Sequence, residues 1–425
     1  MRNRPQRVGD SRLRYRGRSG AVLADFDVLV IGGGLAGSAA AVLLARSGVR
    51  VGLVEQHAGP YHKVCGEFLS TEALHLLCQV GVLPEALGAV PITHVRLAAA
   101  DSGVACTALP FPALSLTRCC LDEAMLTRAD AVGAHLFRGS PVESLTRAGL
   151  HDPWHARLRS GKVLTAPQAM LATGKHDLRG FARPPGQQNS LLACKQYFAL
   201  KPEQAAELRG HVELHVFPGG YAGLQPVEVD PETHTMRANL CLVMEQARYR
   251  ALGAGWPALL QHVTAHCPLL GDRLREASPL LPKPLALSHI PYGLRPRDAS
   301  CALPAGLGVE TTLWQLGDQA LVIPSFTGDG MSLALHTAFV AKGCYDRGVT
   351  PREFATTLHQ TTSRQILRAT AVSRLLLTPF AKPLMEAARP VLPLLMRQLA
   401  RATRISPRAQ RTAGVDEEKR ETIPG

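Results

Sequence analysis

Glycines at 32, 34 and 37 precede an acid at 55, and the segment KVCGEFLS at 63–70 puts a lysine, a cysteine and a glycine in one short loop. The first set is suited to holding a phosphate-linked ligand. Glycines let a backbone turn tightly and approach a diphosphate, which rests on the N–H groups that open the next helix. Glu55 follows Gly37 by 18 residues, where an acid reaches a ribose hydroxyl. The second set raises three chemistries: Cys65 as redox thiol, as metal ligand, or as a small residue beside a cofactor. No other Cys is near it in sequence, and His62 and Glu67 make no known ligand pattern with it, which argues against the first two.

The elements around the glycines fit this role. DVLVI at 27–31 is a short apolar run, as a buried parallel strand requires. SAAAVLLARSG is rich in helix formers and ends at Gly48, a suitable helix terminator. VRVGLVEQ is a second strand ending at Glu55. Strand, turn, helix, strand and acid together predict a dinucleotide site at Gly32, Gly34, Leu35, Ala36, Gly37 and Glu55. A second arrangement of this kind lies far downstream, in LWQLGDQALVIPSFTGDGMSLALH at 313–336. Gly317 and Asp318 follow an apolar stretch, and Gly328, Gly330 and Met331 open an apolar helix. Asp318 can accept a hydrogen bond from a sugar-chain hydroxyl, and helix-opening glycines present N–H groups to an electron-rich ring edge. A cofactor touched by both ends of the chain is long, which selects FAD, with adenosine at Glu55 and flavin near Gly328–Met331.

The chain resembles flavoproteins of the p-hydroxybenzoate-hydroxylase-like group and is most similar to the geranylgeranyl reductase branch and its bacterial relatives. VLVIGGGLAGSAAAVLLARSGVRVGLVEQ, KVCGEFLS, LTRCCLDEAML and LGDQALVIPSFTGDGMSLAL carry the resemblance, in order. It implies that Arg118 heads a helix and contacts the pyrophosphate or ribityl chain of FAD, with Asp122 structural in that helix and Asp318 on the ribityl or pyrophosphate portion. It also implies that the 63–66 loop passes the flavin. Gly66 then permits close approach, Lys63 reaches phosphate, ribityl oxygen or flavin edge, and Cys65 is a small residue at the flavin, with a packing thiol or an active thiol as alternatives.

Two departures from the family pattern bear on substrate and donor. Ala172-Thr173-Gly174 stands where hydroxylases of the group carry Ala-Asp-Gly, so Ala172 and Gly174 keep a cofactor-side crossing while the acid tied to pyridine-nucleotide use is missing. In VFPGGYAGLQPVE at 216–228, Gly223 and Gln225 replace the Trp and Phe of the reductase branch, which implies a roomier pocket with Tyr221 facing substrate. The scattered Trp154, Trp256 and Trp314 argue against the halogenase branch. His211 and His215 in the strand-like HVELHVF are read as exposed side chains.

The expected architecture is α/β: a Rossmann-like FAD-binding domain (25–90, 117–185 and 300–345), an inserted antiparallel β-sheet substrate domain (91–116 and 186–299) and C-terminal helices (346–405). A basic disordered extension (1–24) and a polar tail (406–425) flank them. The +13 charge is concentrated at the ends, with seven Arg against one Asp in residues 1–20 and nine basic against five acidic residues in 375–425. That distribution argues against a nucleic-acid-binding face. Ten scattered cysteines without a C-x-x-C pair, and an N-terminus without a secretory core, predict reduced thiols and a cytoplasmic place. No apolar run reaches the roughly 20 residues of a membrane span. Leu, Met, Arg and Lys in 375–404, broken at Pro379, Pro383, Pro390 and Pro393, read either as helices over the pocket mouth or as a peripheral membrane contact.

The function expected is an FAD-dependent oxidoreductase that reduces a carbon–carbon double bond of an apolar, lipid-like substrate. The electrons come from NAD(P)H or from a donor protein. The alternatives are a flavin monooxygenase that hydroxylates an aromatic or polyketide-like ring, and a flavin-holding partner protein without turnover.

Overall fold

A computed structural model describes residues 24–99, 104–149, 151–229, 235–301 and 312–406. Most of the basic N-terminal extension, nearly all of the polar tail and the start of the third FAD-domain segment lie outside them.

The first layer is a five-stranded parallel sheet. Its order is Leu313–Gln315, Gln168–Leu171, Val28–Ile31, Val51–Val54, His135–Phe137. Val28–Ile31 and Val51–Val54 are buried at every position, because both faces of the sheet are covered. On one face pack the helices Leu35–Arg46, Arg118–Ala131 and Gly330–Asp346, through a core that includes Val30, Leu53, Met125, Trp314 and Leu335. On the other lies a three-stranded antiparallel sheet, Val142–Thr146, Trp154–Leu158 and Val163–Ala166, packed through Leu29, Ile31, Trp154 and Leu164.

The second layer is a large sheet ordered Ser278–Pro279, Leu191–Ala199, Met236–Glu245, Gly220–Val229, His211–Phe217, Val90–Ala99, Val104–Ser115, Phe68–Ser70. It departs from the expected antiparallel sheet at one seam: His211–Phe217 runs parallel to Val90–Ala99, with Val212 opposite Val95. Two segments more than a hundred residues apart meet there, so no hairpin sets their direction. Phe68–Ser70, expected in the first domain, also pairs into this sheet, with Leu69 opposite Leu114. Helices Pro202–Leu208, Trp256–His266 and Pro268–Arg273 cover its outer face through Leu208, Leu259, Val263 and Leu270.

His215 corrects the reading of an exposed strand histidine. It is fully buried, with Nε2 3.5 Å from Glu213 Oε2. Glu213 in turn accepts from Arg96 and Arg273, so an ion cluster from three segments accounts for the polar pair.

After the sheets, Pro351–Leu377 forms one long helix opened by a reciprocal Thr350–Glu353 cap. The prolines then split the chain into the short helices Ala381–Ala387 and Leu392–Ala402. Among the described residues no helix is long and apolar enough to cross a membrane.

Candidate active site: one cavity between the two sheets

A single cavity of about 690 Å³ runs from Glu55 to the C-terminal helices. Its first end is the glycine turn. Gly32 has φ +109°, and an added Cβ would lie 2.3 Å from the Ala172 carbonyl oxygen. At Gly37 a Cβ would lie 1.9 Å from the Gly32 oxygen, so this glycine serves close packing and does not line the cavity. Gly32, Gly34, Leu35, Ala36 and Glu55 all do. Both Glu55 oxygens already accept backbone N–H groups, from Gly33 at 2.8 Å and His57 at 2.9 Å. The acid therefore holds the turn as well as facing the cavity.

Two cations stand over this turn. A Cβ built on Gly34 would be 3.5 Å from Lys63 Nζ and 3.6 Å from an Arg118 guanidinium nitrogen. Both cations share Asp122: Lys63 Nζ lies 2.7 Å from Oδ2 and Arg118 Nε 2.9 Å from Oδ1. Burial alone would push the Asp122 carboxyl up, but Arg118 and Lys63 outweigh it and hold the group below its ordinary value. One carboxylate thus aims two cations at an uncapped helix N-terminus, with a net positive charge left over.

The KVCGEFLS loop is fixed by the residue after its glycine. Glu67 is buried and has φ +63°, a left-handed conformation uncommon for a non-glycine residue. Its Oε1 lies 2.6 Å from Lys195 Nζ and accepts from the Tyr197 hydroxyl at 2.7 Å and the Arg118 N–H at 2.8 Å. Asn239 Nδ2 donates to Oε2 at 3.0 Å and to the carbonyls of Cys65 and Gly66. Lys195 and Glu67 have no side-chain exposure, so the large sheet grips the loop through a desolvated ion pair. Cys65 itself is half-buried on the cavity wall, and its Sγ accepts the Glu67 N–H at 3.4 Å. Cys241 lines the same cavity, and burial pushes its thiol up to about 11.

The far end gathers the remaining expected residues. Gly317, Asp318, Gly328, Gly330 and Met331 line the cavity, as do Ala172, Gly174 and Tyr221. Tyr221 is buried and hydrogen-bonded to Ser325 Oγ at 3.0 Å, and burial raises its phenol above the ordinary value. Beyond it the wall turns apolar, with Val95, Leu97, Leu109, Phe111, Val212 and Leu214 from the large sheet. Leu376, Met396 and Leu399 of the C-terminal helices close it. Those helices are tied down by Arg404, whose Nη1 lies 2.8 Å from Asp329 Oδ1 and whose guanidinium stacks 4.7 Å from the Phe111 ring. Asp329 is fully buried. Burial pushes its carboxyl up to about 7, with Arg404 opposing and Glu72 reinforcing.

The cavity suits a long cofactor. Gly66, Gly174 and Gly330, from three distant segments, line it, and a Cβ added to any of them would meet no atom within 4 Å. Bare backbone from three sides faces open space, as close approach to a flat ring and its chain requires.

Comparison with known proteins agrees. Residues 25–166 match the family described as FAD binding domain. The menaquinone reductase of Mycolicibacterium smegmatis is 26% identical over 330 residues, covering 74% of this chain and 75% of that protein. This chain is an FAD-dependent oxidoreductase. Solved structures share the oxidoreductase's fold. The halogenase PltM has 15% identity and a TM-score of 0.68, over 92% of this chain and 85% of that one. The myxobacterial chondrochloren halogenase CndH has 16% and 0.68, over 92% and 95%. A geranylgeranyl bacteriochlorophyll reductase-like protein from Thermoplasma acidophilum has 16% and 0.64, over 91% and 95%. No tryptophan lines the oxidoreductase's cavity.

Sequence reasoning missed Lys195, Tyr197, Asn239 and Arg404 as parts of this site, and no spacing signal marks them, since each meets its partner through the tertiary fold. Glu67 and Asp329, also missed, had one usable signal: each is an acid inside a segment already singled out.

Proposed function

We propose that this oxidoreductase reduces a carbon–carbon double bond in a long, apolar, isoprenoid-type substrate. The carrying observation is the chamber beyond Tyr221, walled by sheet and helix aliphatics with Phe111 and Arg404 at one side. A ring hydroxylase needs polar groups to orient a small ring, whereas an alkyl chain needs apolar area. The names of the menaquinone reductase and of the geranylgeranyl bacteriochlorophyll reductase-like protein point to isoprenoid-bearing molecules and support this reading.

Gly32, Gly34, Leu35, Ala36 and Glu55 would hold the adenosine diphosphate portion of FAD, with Lys63 and Arg118 neutralising its phosphates. Gly37 serves by packing against Gly32. Gly66, Ala172, Gly174, Gly317, Asp318, Gly328, Gly330 and Met331 would line the ribityl chain and ring. Bound FAD supplies the hydride for the reduction. The chain's own tasks are to seat the alkene, to exclude water with the C-terminal helices, and to hold a proton at Tyr221 Oη, which burial keeps on the phenol. Cys65, on the cavity wall, would be a small residue beside the ring. The proposed donor is NAD(P)H or a donor protein, and Thr173 in place of an acid weighs against NAD(P)H.

The test is run without oxygen and then repeated in air. Purified protein is reduced with NADPH while its visible spectrum is followed, then given a geranylgeranyl lipid. A product that has gained two hydrogens supports the reading. A product that has gained an oxygen atom, formed only in air, would replace it with the hydroxylase. A flavin that NADPH leaves oxidised, but dithionite makes competent, assigns the electrons to a donor protein.

A further inference from the structure

Helices Ala381–Ala387 and Leu392–Ala402 present two different faces. Inward, Ala381 and Met385 pack on Val216 with Leu97 and Leu376 beside them, and Met396 and Leu399 wall the apolar chamber. Arg404, just past the second helix, pins the assembly to Asp329. Outward, Phe380 is 70% exposed, Leu394 57%, Val391 50%, Leu384 49% and Leu395 44%. Five large apolar side chains within sixteen residues form an unusual surface for a protein in water. Exposed Arg389, Arg397 and Arg401 stand among them, and Glu386 is the one acid between 381 and 402.

We propose that this face docks the enzyme on an anionic lipid bilayer, with the two helices lying in the plane of the headgroups. The charge pattern selects this occupant. Apolar side chains flanked by arginines match an interface of acyl chains under acidic headgroups. A second copy of the chain docked through the same face would set arginine against arginine, which opposes an isologous dimer. The placement gives the surface a use, because the chamber lies one helix thickness behind it. The docking rests on the outward side chains and holds whatever apolar substrate the chamber takes.

The test is flotation of the full-length protein, holding FAD, with vesicles of phosphatidylcholine alone and of equimolar phosphatidylcholine and phosphatidylglycerol. The expected result is binding to the anionic vesicles only, released by high salt. R397E/R401E weakens binding roughly tenfold or more, and L394D/L395D weakens it even at low salt. Visible flavin absorbance and elution volume confirm that each variant is folded, and R397E/R401E decides the matter should the leucine pair fail that check. The proposal is overturned by absence of wild-type binding, by equal binding to neutral vesicles, by variants that bind like wild type, or by a dimer that L394D/L395D separates. Flotation reads no turnover, so this result stands apart from the fate of the proposed reaction.

Discussion

At the glycine-turn end of the cavity several partners are close in sequence, Gly33 and Glu55 being 22 residues apart and Arg118 and Asp122 four, while Gly32 meets the distant Ala172. At the loop-and-chamber end they are distant: Glu67 meets Tyr197 across 130 residues and Asn239 across 172, and Arg404 meets Thr327 across 77. The first end is built by sterics at Gly32 and Gly37, where a Cβ has no room, so those two positions tolerate one residue type. The second is built by desolvated charge, so its members depend on one another more than on their own identity. A defect at the first end should therefore act alone and be absolute, whereas one at the second should be repairable by a matching change in the partner.

The largest effect is expected at the steric end. Gly37→Val puts side-chain atoms onto the Gly32 carbonyl, and the ratio of flavin to protein absorbance should fall more than about tenfold. A variant that keeps its flavin would show that the turn can relax, and would erase the contrast. At the other end, Lys195→Met leaves Glu67 buried without its cation and should cost about 3–5 kcal/mol in denaturant unfolding. Adding Glu67→Gln should recover part of that loss, and a purely additive double variant would contradict the coupling.

Arg118→Ala acts on the cations over the turn. It removes charge-assisted bonds and should weaken FAD binding by about 1.5–3 kcal/mol, less so at high salt, read by flavin fluorescence titration. Asp329 offers a pH readout. Its carboxyl rises from the ordinary 3.8 to about 7 on folding. The stability it contributes is full below the lower value and is lost as pH climbs to the upper one. Asp329→Asn should flatten the decline of Tm between those limits, and an unchanged slope would mean that Arg404 keeps Asp329 ionised throughout. The smallest effect is expected at Cys65→Ala, which should retain FAD and change turnover by about threefold or less, since the thiol makes one weak contact at 3.4 Å. Unchanged kinetics would reduce Cys65 to a spacer.

The parallel layer, its helices and the two glycine turns were legible in the chain, because fully apolar strands and helix-opening glycines are local signals. The large sheet was legible as strands but not as a pairing order. Alternation fixes which residues share a face, and nothing local fixes the parallel seam between His211–Phe217 and Val90–Ala99. His215 failed for the same reason: its burial depends on Glu213 and on Arg96 and Arg273 from two other segments.

By itself the sequence determined where a dinucleotide is held, since steric exclusion at Gly37 and the reach of Glu55 operate within one strand–helix–strand unit. It also determined that the C-terminal segment breaks into short helices, because prolines act on their own backbone. Only the tertiary structure decided which face of those helices closes the chamber, that Asp122 aims two cations, and that Glu67 locks the Cys65 loop to the second sheet. Ion pairs buried between distant segments exist only once the chain has excluded water from both partners.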